Sequence, residues 1–224
     1  MPETDHPLKA YPVMRECPIP KPVVVIESPY ASSTLEGREA NIAYARRALR
    51  HSLDDAEAPF AGHLLYTQVL DDDISEQRIL GLSSHLSFLR AADTVAFYID
   101  LGVSPGMCLA LREAIRVNLF RSWRSFEKDE ITLMHLSLRY EYLFGGITPE
   151  QLIEFLPQDS TDFLLSLYRE LREKASFHYA DDSCREWEEG RNYALRANAL
   201  CRALLEAALV PAADLTKIDN ANLV

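Results

Sequence analysis

Short apolar runs alternate with amphipathic stretches through the first half of the chain; beyond about residue 125 one amphipathic stretch follows another. Val23-Val24-Val25-Ile26 is a continuous β-branched run, the pattern of a strand covered on both faces in a parallel sheet. It predicts a first strand that ends in a turn, Glu27-Ser28-Pro29-Tyr30. From about Glu39 to Asp55, Ile42, Ala45, Leu49 and Leu53 recur at helical spacing. Ala58 to His63 reads as a short strand or loop. The acidic segment Leu70-Asp71-Asp72-Asp73-Ile74-Ser75-Glu76 predicts a helix over 76–91 capped by Ser75. Thr94 to Ile99 is a second clear strand, and Asp100 to Met107 a loop that opens a third helix. Val117 to Phe120 is expected as a last strand. This alternation argues for a parallel α/β sheet, in which ligands gather beyond the carboxyl ends of the strands. Both Glu27–Tyr30 and Asp100–Gly106 fall there.

In the second half, helices are expected over 128–144, 149–156, 161–176 and 184–208. Thr148-Pro149-Glu150-Gln151 carries a capping threonine, a proline at the first helical position and a glutamine three residues after the cap. The organisation that follows is an irregular lead-in over 1–21, an α/β domain over 22–125, a helical extension over 126–210 and a mobile tail over 211–224. Residues 1–20 hold five of the twelve prolines, which sets the lead-in apart.

Of the 224 residues, 48% are hydrophobic and 25% charged, ordinary values for a globular chain with a sizeable core. A formal charge of -11 disfavours binding to a nucleic-acid polymer, while leaving room for a local site for one small anion. No apolar run approaches the roughly 20 residues that span a bilayer. Met1 to Asp5 lacks the basic-then-apolar pattern of a secretory signal. Cys17, Cys108, Cys184 and Cys201 are scattered without C-x-x-C spacing, which points to a reducing cytoplasm and away from a zinc site or a disulfide framework. Phosphate-loop, dinucleotide, serine-elbow and H-E-x-x-H motifs are all absent.

The ordered set Glu27-Ser28-Pro29-Tyr30-Ala31, Asn41 and Ala45, Ala58-Pro59 with His63-Leu64-Leu65-Tyr66, Leu70-Asp71-Asp72-Asp73, Glu76 with Gly81, and Asp100 with Ser104-Pro105-Gly106-Met107 resembles the nucleoside 2-deoxyribosyltransferase-like superfamily, in particular its small phage and actinobacterial branch. The likeness covers about residues 22–121. It implies a flavodoxin-like parallel sheet and cleavage or exchange of the N-glycosidic bond of a nucleoside or nucleoside 5′-monophosphate. One carboxylate meets the oxocarbenium-like C1′ and a second group manages the proton. It also implies a homodimer or higher homo-oligomer and calls for no cofactor and no metal.

Carried over residue by residue, Ser28, Pro29 and Tyr30 match the loop that approaches sugar and base. Ser104, Gly106 and Met107 match the loop that holds a 5′-phosphate at a helix N-terminus. The family's nucleophilic glutamate falls on Ala110 and its proton-handling aspartate on His85. Glu113, one turn beyond Ala110, is the substitute carboxylate, and Asp100 and His63 are the further candidates for proton work. Asp71-Asp72-Asp73 reads as a solvated loop, and Cys108, Trp123 and Trp187 as packing residues. Three readings result, of which the first two are an N-glycosidic enzyme and a nucleotide-binding protein on the same fold that has lost that chemistry. A third is an interaction module with a vestigial pocket.

Overall fold

The protein is represented by a computed structural model that describes residues 20–157, 160–179, 184–207, 209 and 212–221. Most of the expected lead-in, Cys17, the side chain of Trp187 and the ends of the expected tail lie outside the described residues. Four strands, β1 (Val23–Glu27), β2 (Ala58–Phe60), β3 (Thr94–Tyr98) and β4 (Phe120–Arg124), form one sheet in the order β2-β1-β3-β4. Every pairing is parallel, with Val24 opposite Thr94 and Val95 opposite Arg121. This is the parallel α/β sheet that the alternation of elements predicts, in the flavodoxin-like arrangement that the resemblance implies. The chain passes from β1 to β2 on one side and crosses to β3 on the other, so a topological switch lies between β1 and β3.

The strands split their side chains between two layers, as the two-residue period requires. Val24, Ile26, Ala96 and Tyr98 pack towards α1 (Leu35–Asp54), where Ala48 meets them. Val25, Val95 and Phe97 pack on the opposite layer. There Leu89 of α3 (Ser75–Ala91) and Met107, Ala110, Leu111 and Ala114 of α4 (Pro105–Arg116) complete the core. Between β2 and α3 run a single helical turn, α2 (Gly62–Leu65), and a 3-10 turn, Tyr66–Gln68.

Several expected boundaries are corrected. Glu27 belongs to the strand, not to the turn after it. Helix α1 starts at Leu35, because the Thr34 side chain accepts from the Gly37 N–H and caps it there. Ser75 is the first residue of α3 and not its cap; Ile74 holds that position without a side-chain hydrogen bond. The last strand is 120–124 and not 117–120. Val117 caps α4, and Asn118 turns the chain at φ +54° before the strand begins.

The helical half comprises α5 (Glu130–Phe144), α6 (Pro149–Phe155), α7 (Thr161–Tyr179), α8 (Cys184–Glu206) and α9 (Ala212–Ala221). The capping box at Thr148 is present as the sequence predicts. Leu164, Leu167 and Leu171 of α7 pack with Ala197, Leu200 and Leu204 of α8 around Tyr142. The expected tail is corrected over its described part: 212–221 is helical, and Leu215 and Ile218 enter this core. Gly145 ends α5 at φ +81°, where an added Cβ would sit 2.6 Å from the Arg196 guanidinium. Phe144 packs against both the helical core and the α4 layer of the sheet, and Glu141 ties α5 to β4 by accepting from Arg121 Nε and Trp123 Nε1. Among the described residues no helix is long and apolar enough to cross a membrane.

Candidate functional site

A cleft with about 740 Å³ of empty space, open mouth included, lies at the carboxyl end of the sheet beside the switch point. Glu27, Ser28 and Tyr30 enter it after β1, and Gly62 and His63 after β2. Ser104, Gly106 and Met107 enter from the start of α4, and α3 supplies Gln77, Arg78, Gly81, Leu82 and His85. The sequence-predicted Ser28, Tyr30, His63, Ser104, Gly106 and Met107 are thus brought together. Pro29 is buried behind its neighbours and does not line the cleft.

One buried polar group of the cleft is a carboxylate expected from the sequence in a turn, Glu27. Glu27 ends β1 on the face of Val25, two residues earlier, and so points towards α3. There Glu27 Oε1 and His85 Nε2 lie 2.5 Å apart, with side chains 6% and 10% exposed. Burial works to lower the His85 pKa, but the charge of Glu27 and its hydrogen bond outweigh it and the pKa is raised. His85 Nδ1 is buried with no partner among the described residues. It abuts Gly62, where an added Cβ would lie 2.3 Å from Nδ1. Glu27 is therefore the one described partner of the imidazole, through Nε2, and Nδ1 is a buried polar atom left unpaired. Among the described residues Glu27 Oε2 accepts no hydrogen bond, which leaves it free for a ligand.

Beside this pair, Ser28 Oγ and His63 Nε2 are 3.0 Å apart. Burial lowers the His63 pKa to about 4, and the nearby His85 adds to the effect against the pull of Glu27. His63 is therefore neutral at pH 7, an acceptor or donor but not a cation. Tyr30 meets its ring edge-on at 6.2 Å. Asp72, on the rim, pairs with Arg78 at 2.7 Å.

The start of α4 offers less to an anion than the sequence reading expects. Pro105 has no N–H. The Met107 N–H is taken by Ser104 Oγ at 3.3 Å and the Cys108 N–H by Ser104 O at 3.0 Å. Gly106 alone among these keeps a free N–H among the described residues. The cleft's fixed charges are Glu27 and Asp72 against Arg78, a balance that does not attract a dianion.

Two predicted catalytic candidates lie elsewhere. Asp100 does not line the cleft. It accepts from Tyr44 Oη at 2.6 Å, from the backbone N–H of Phe126 and Glu127 at 3.0 Å, and from the Ser125 hydroxyl. Burial works to raise its pKa, but these donors outweigh it and hold the carboxyl below the usual aspartate range. Glu113 is gripped by Arg116 at 2.6 Å and Arg90 at 2.5 Å, and the Arg116 hydrogen bond leads in lowering its pKa to about 2. Ala110, where the family pattern wants its nucleophile, is 1% exposed against the sheet, so a carboxylate there would be driven into the core. Cys108 is half-buried, and burial raises its thiol pKa. Trp123 stacks between Phe97 and Tyr140, as a packing residue should. Among the described residues no three His, Cys, Asp or Glu side chains are grouped to hold a metal ion.

Residues 22–121 match a family described as a domain of unknown function (DUF7768). The match spans β1 to the start of β4 and includes every residue that lines the cleft. No curated protein and no solved structure matches the chain.

Proposed function

We propose that the cleft binds a nucleoside and that the protein cleaves its N-glycosidic bond or transfers its sugar, with Glu27 as the carboxylate that meets C1′. The observation that carries this reading is the buried Glu27–His85 pair at the floor of a ligand-sized cleft, at the carboxyl end of β1. A carboxylate in that position can stabilise or capture an oxocarbenium-like centre. His85 holds Glu27 in place through Oε1, which leaves Oε2 for the sugar. Ser28 and Tyr30 border the same space and are suited to orient sugar and base. Of the two substrate classes implied by the resemblance, the nucleoside is favoured over the 5′-monophosphate. One free N–H at the start of α4 and one arginine already paired to Asp72 make a poor seat for a dianion.

The second reading, a nucleoside-binding protein without bond cleavage, is favoured by Ala110 and by the arginine clamp on Glu113, which leave α4 without a cleft carboxylate. The test is to incubate the protein with a panel of nucleosides and 5′-monophosphates and follow thermal stabilisation and free-base release in the same samples. Stabilisation by nucleosides with base release, abolished in Glu27→Gln, is the expected result. Stabilisation without release selects the second reading. The absence of both signals overturns the two together.

A further inference from the structure

Among the described residues, six of the seventeen exposed large apolar side chains (Leu65, Val69, Ile74, Ile79, Leu80 and Phe88) fall within 24 consecutive positions. They lie on α3 and the segment leading into it. The 17 residues of α3 carry apolar groups all round, yet only His85 and Leu89 are buried. A helix of that pattern is normally covered on both sides. Its inner side lines the cleft and the sheet, and its outer side is bare.

We propose that a second copy of this chain covers the outer face of α3, with the two α3 helices antiparallel about a two-fold axis at Ser83. Seven residues share that face at helical spacing: Glu76, Ile79, Leu80, Ser83, Leu86, Ser87 and Arg90. An antiparallel pairing centred on Ser83 sets each residue opposite the one equally far on the other side. Glu76 then faces the partner's Arg90, Ile79 the partner's Ser87, Leu80 the partner's Leu86, and Ser83 its own mate. Opposite charges meet at both ends; in between, leucine meets leucine and isoleucine meets serine. Few faces satisfy themselves in this way, which is the requirement for a two-fold interface.

The serines are already prepared for burial. Ser83 Oγ donates to Leu80 O at 2.9 Å and Ser87 Oγ to Ser83 O at 3.0 Å, so covering them strands no donor. Arg90 is half exposed while bonded to Glu113 and retains N–H groups for a second carboxylate. A helix of 17 residues is about 26 Å long, too narrow alone for the roughly 800 Å² that each partner gives a stable interface. Leu65, Val69 and Ile74, in the segment that leads into α3, are exposed as well and are available to such a contact. The opposite side of the same helix carries Arg78 and His85 into the cleft, so the dimer would fix α3 where the ligand site needs it fixed.

Sedimentation of the full chain across a concentration series tests this. A dimer is expected, and Ile79→Glu/Leu80→Glu is expected to be monomeric with an unchanged circular dichroism spectrum. Charge reversal reads the register. Glu76→Arg should weaken the dimer about tenfold through its two symmetry-related contacts, and Glu76→Arg/Arg90→Glu should restore it. A wild-type monomer at all concentrations overturns the proposal, as does a dimer that survives Ile79→Glu/Leu80→Glu. A dimer in which the double reversal fails to restore affinity overturns the antiparallel pairing at Ser83.

Discussion

Glu27 ends β1 and Asp100 follows β3, on neighbouring strands of one sheet, yet their surroundings differ in kind. Asp100 accepts from two hydroxyls and two backbone N–H groups, so its charge is spent on fastening the loop after β4 to α1. Glu27 has one described partner, a histidine whose other ring nitrogen is buried without a partner. A carboxylate with a full set of donors is a fastener. One held at a single oxygen in a cleft is available for chemistry. Glu113, between two arginines, belongs with Asp100. Carboxylate identity and closeness to a strand end do not separate the two kinds; the donor count does.

The largest effect that would break this comparison is on catalysis. Glu27→Gln is expected to lower base release by about 10²–10⁴-fold with little change in melting temperature, measured on a released nucleobase. Asp100→Ala should do the reverse. Losing an acceptor shared by several part-buried donors costs about 2–4 kcal/mol, seen as a fall in melting temperature of roughly 5–15 °C, with activity kept at temperatures where the protein stays folded. Gly62→Ala sharpens the comparison, because its Cβ would push His85 away from Glu27. Overpacking of this kind costs about 1–3 kcal/mol, and base release should fall more than stability does.

A pH titration of stability probes the neighbouring histidine. The unfolded chain protonates His63 near pH 6.5 and the folded chain near 4. Its contribution is therefore complete above about pH 6.5 and is lost as pH falls towards 4, and His63→Gln should flatten that limb of the denaturation midpoint against pH. The smallest effect is expected for Glu113→Gln, which should leave base release unchanged and move the melting temperature least of the set.

The order of strands and helices was legible because β-branched runs and helical periods announce it. The β4 sequence Phe-Arg-Ser-Trp-Arg did not announce itself: it sits at the sheet edge with two aromatics three residues apart and no two-residue alternation, and Arg121 and Trp123 are satisfied by Glu141 on a later helix. Helix α9 escaped notice because its pattern rests on two apolar residues, Leu215 and Ile218, whose value depends on a core built by α7 and α8. The cleft loops were legible from their order after strand ends. Glu27 was hidden by one residue of strand length: as a turn residue its direction is open, but as the last residue of β1 it shares the face of Val25. No local signal tells that His85, 58 residues away, waits on that face.

The wholly parallel sheet also dictates when the cleft can exist during folding. The two central strands meet through Val24 and Thr94, 70 residues apart, and no hairpin can bring them together sooner. Closing that loop must precede most of the contacts that reward it, which makes it a slow event by topology alone. Glu27 finds His85 only after the same closure, so binding competence should be acquired late, in step with the sheet and not with the faster-forming helices of the second half.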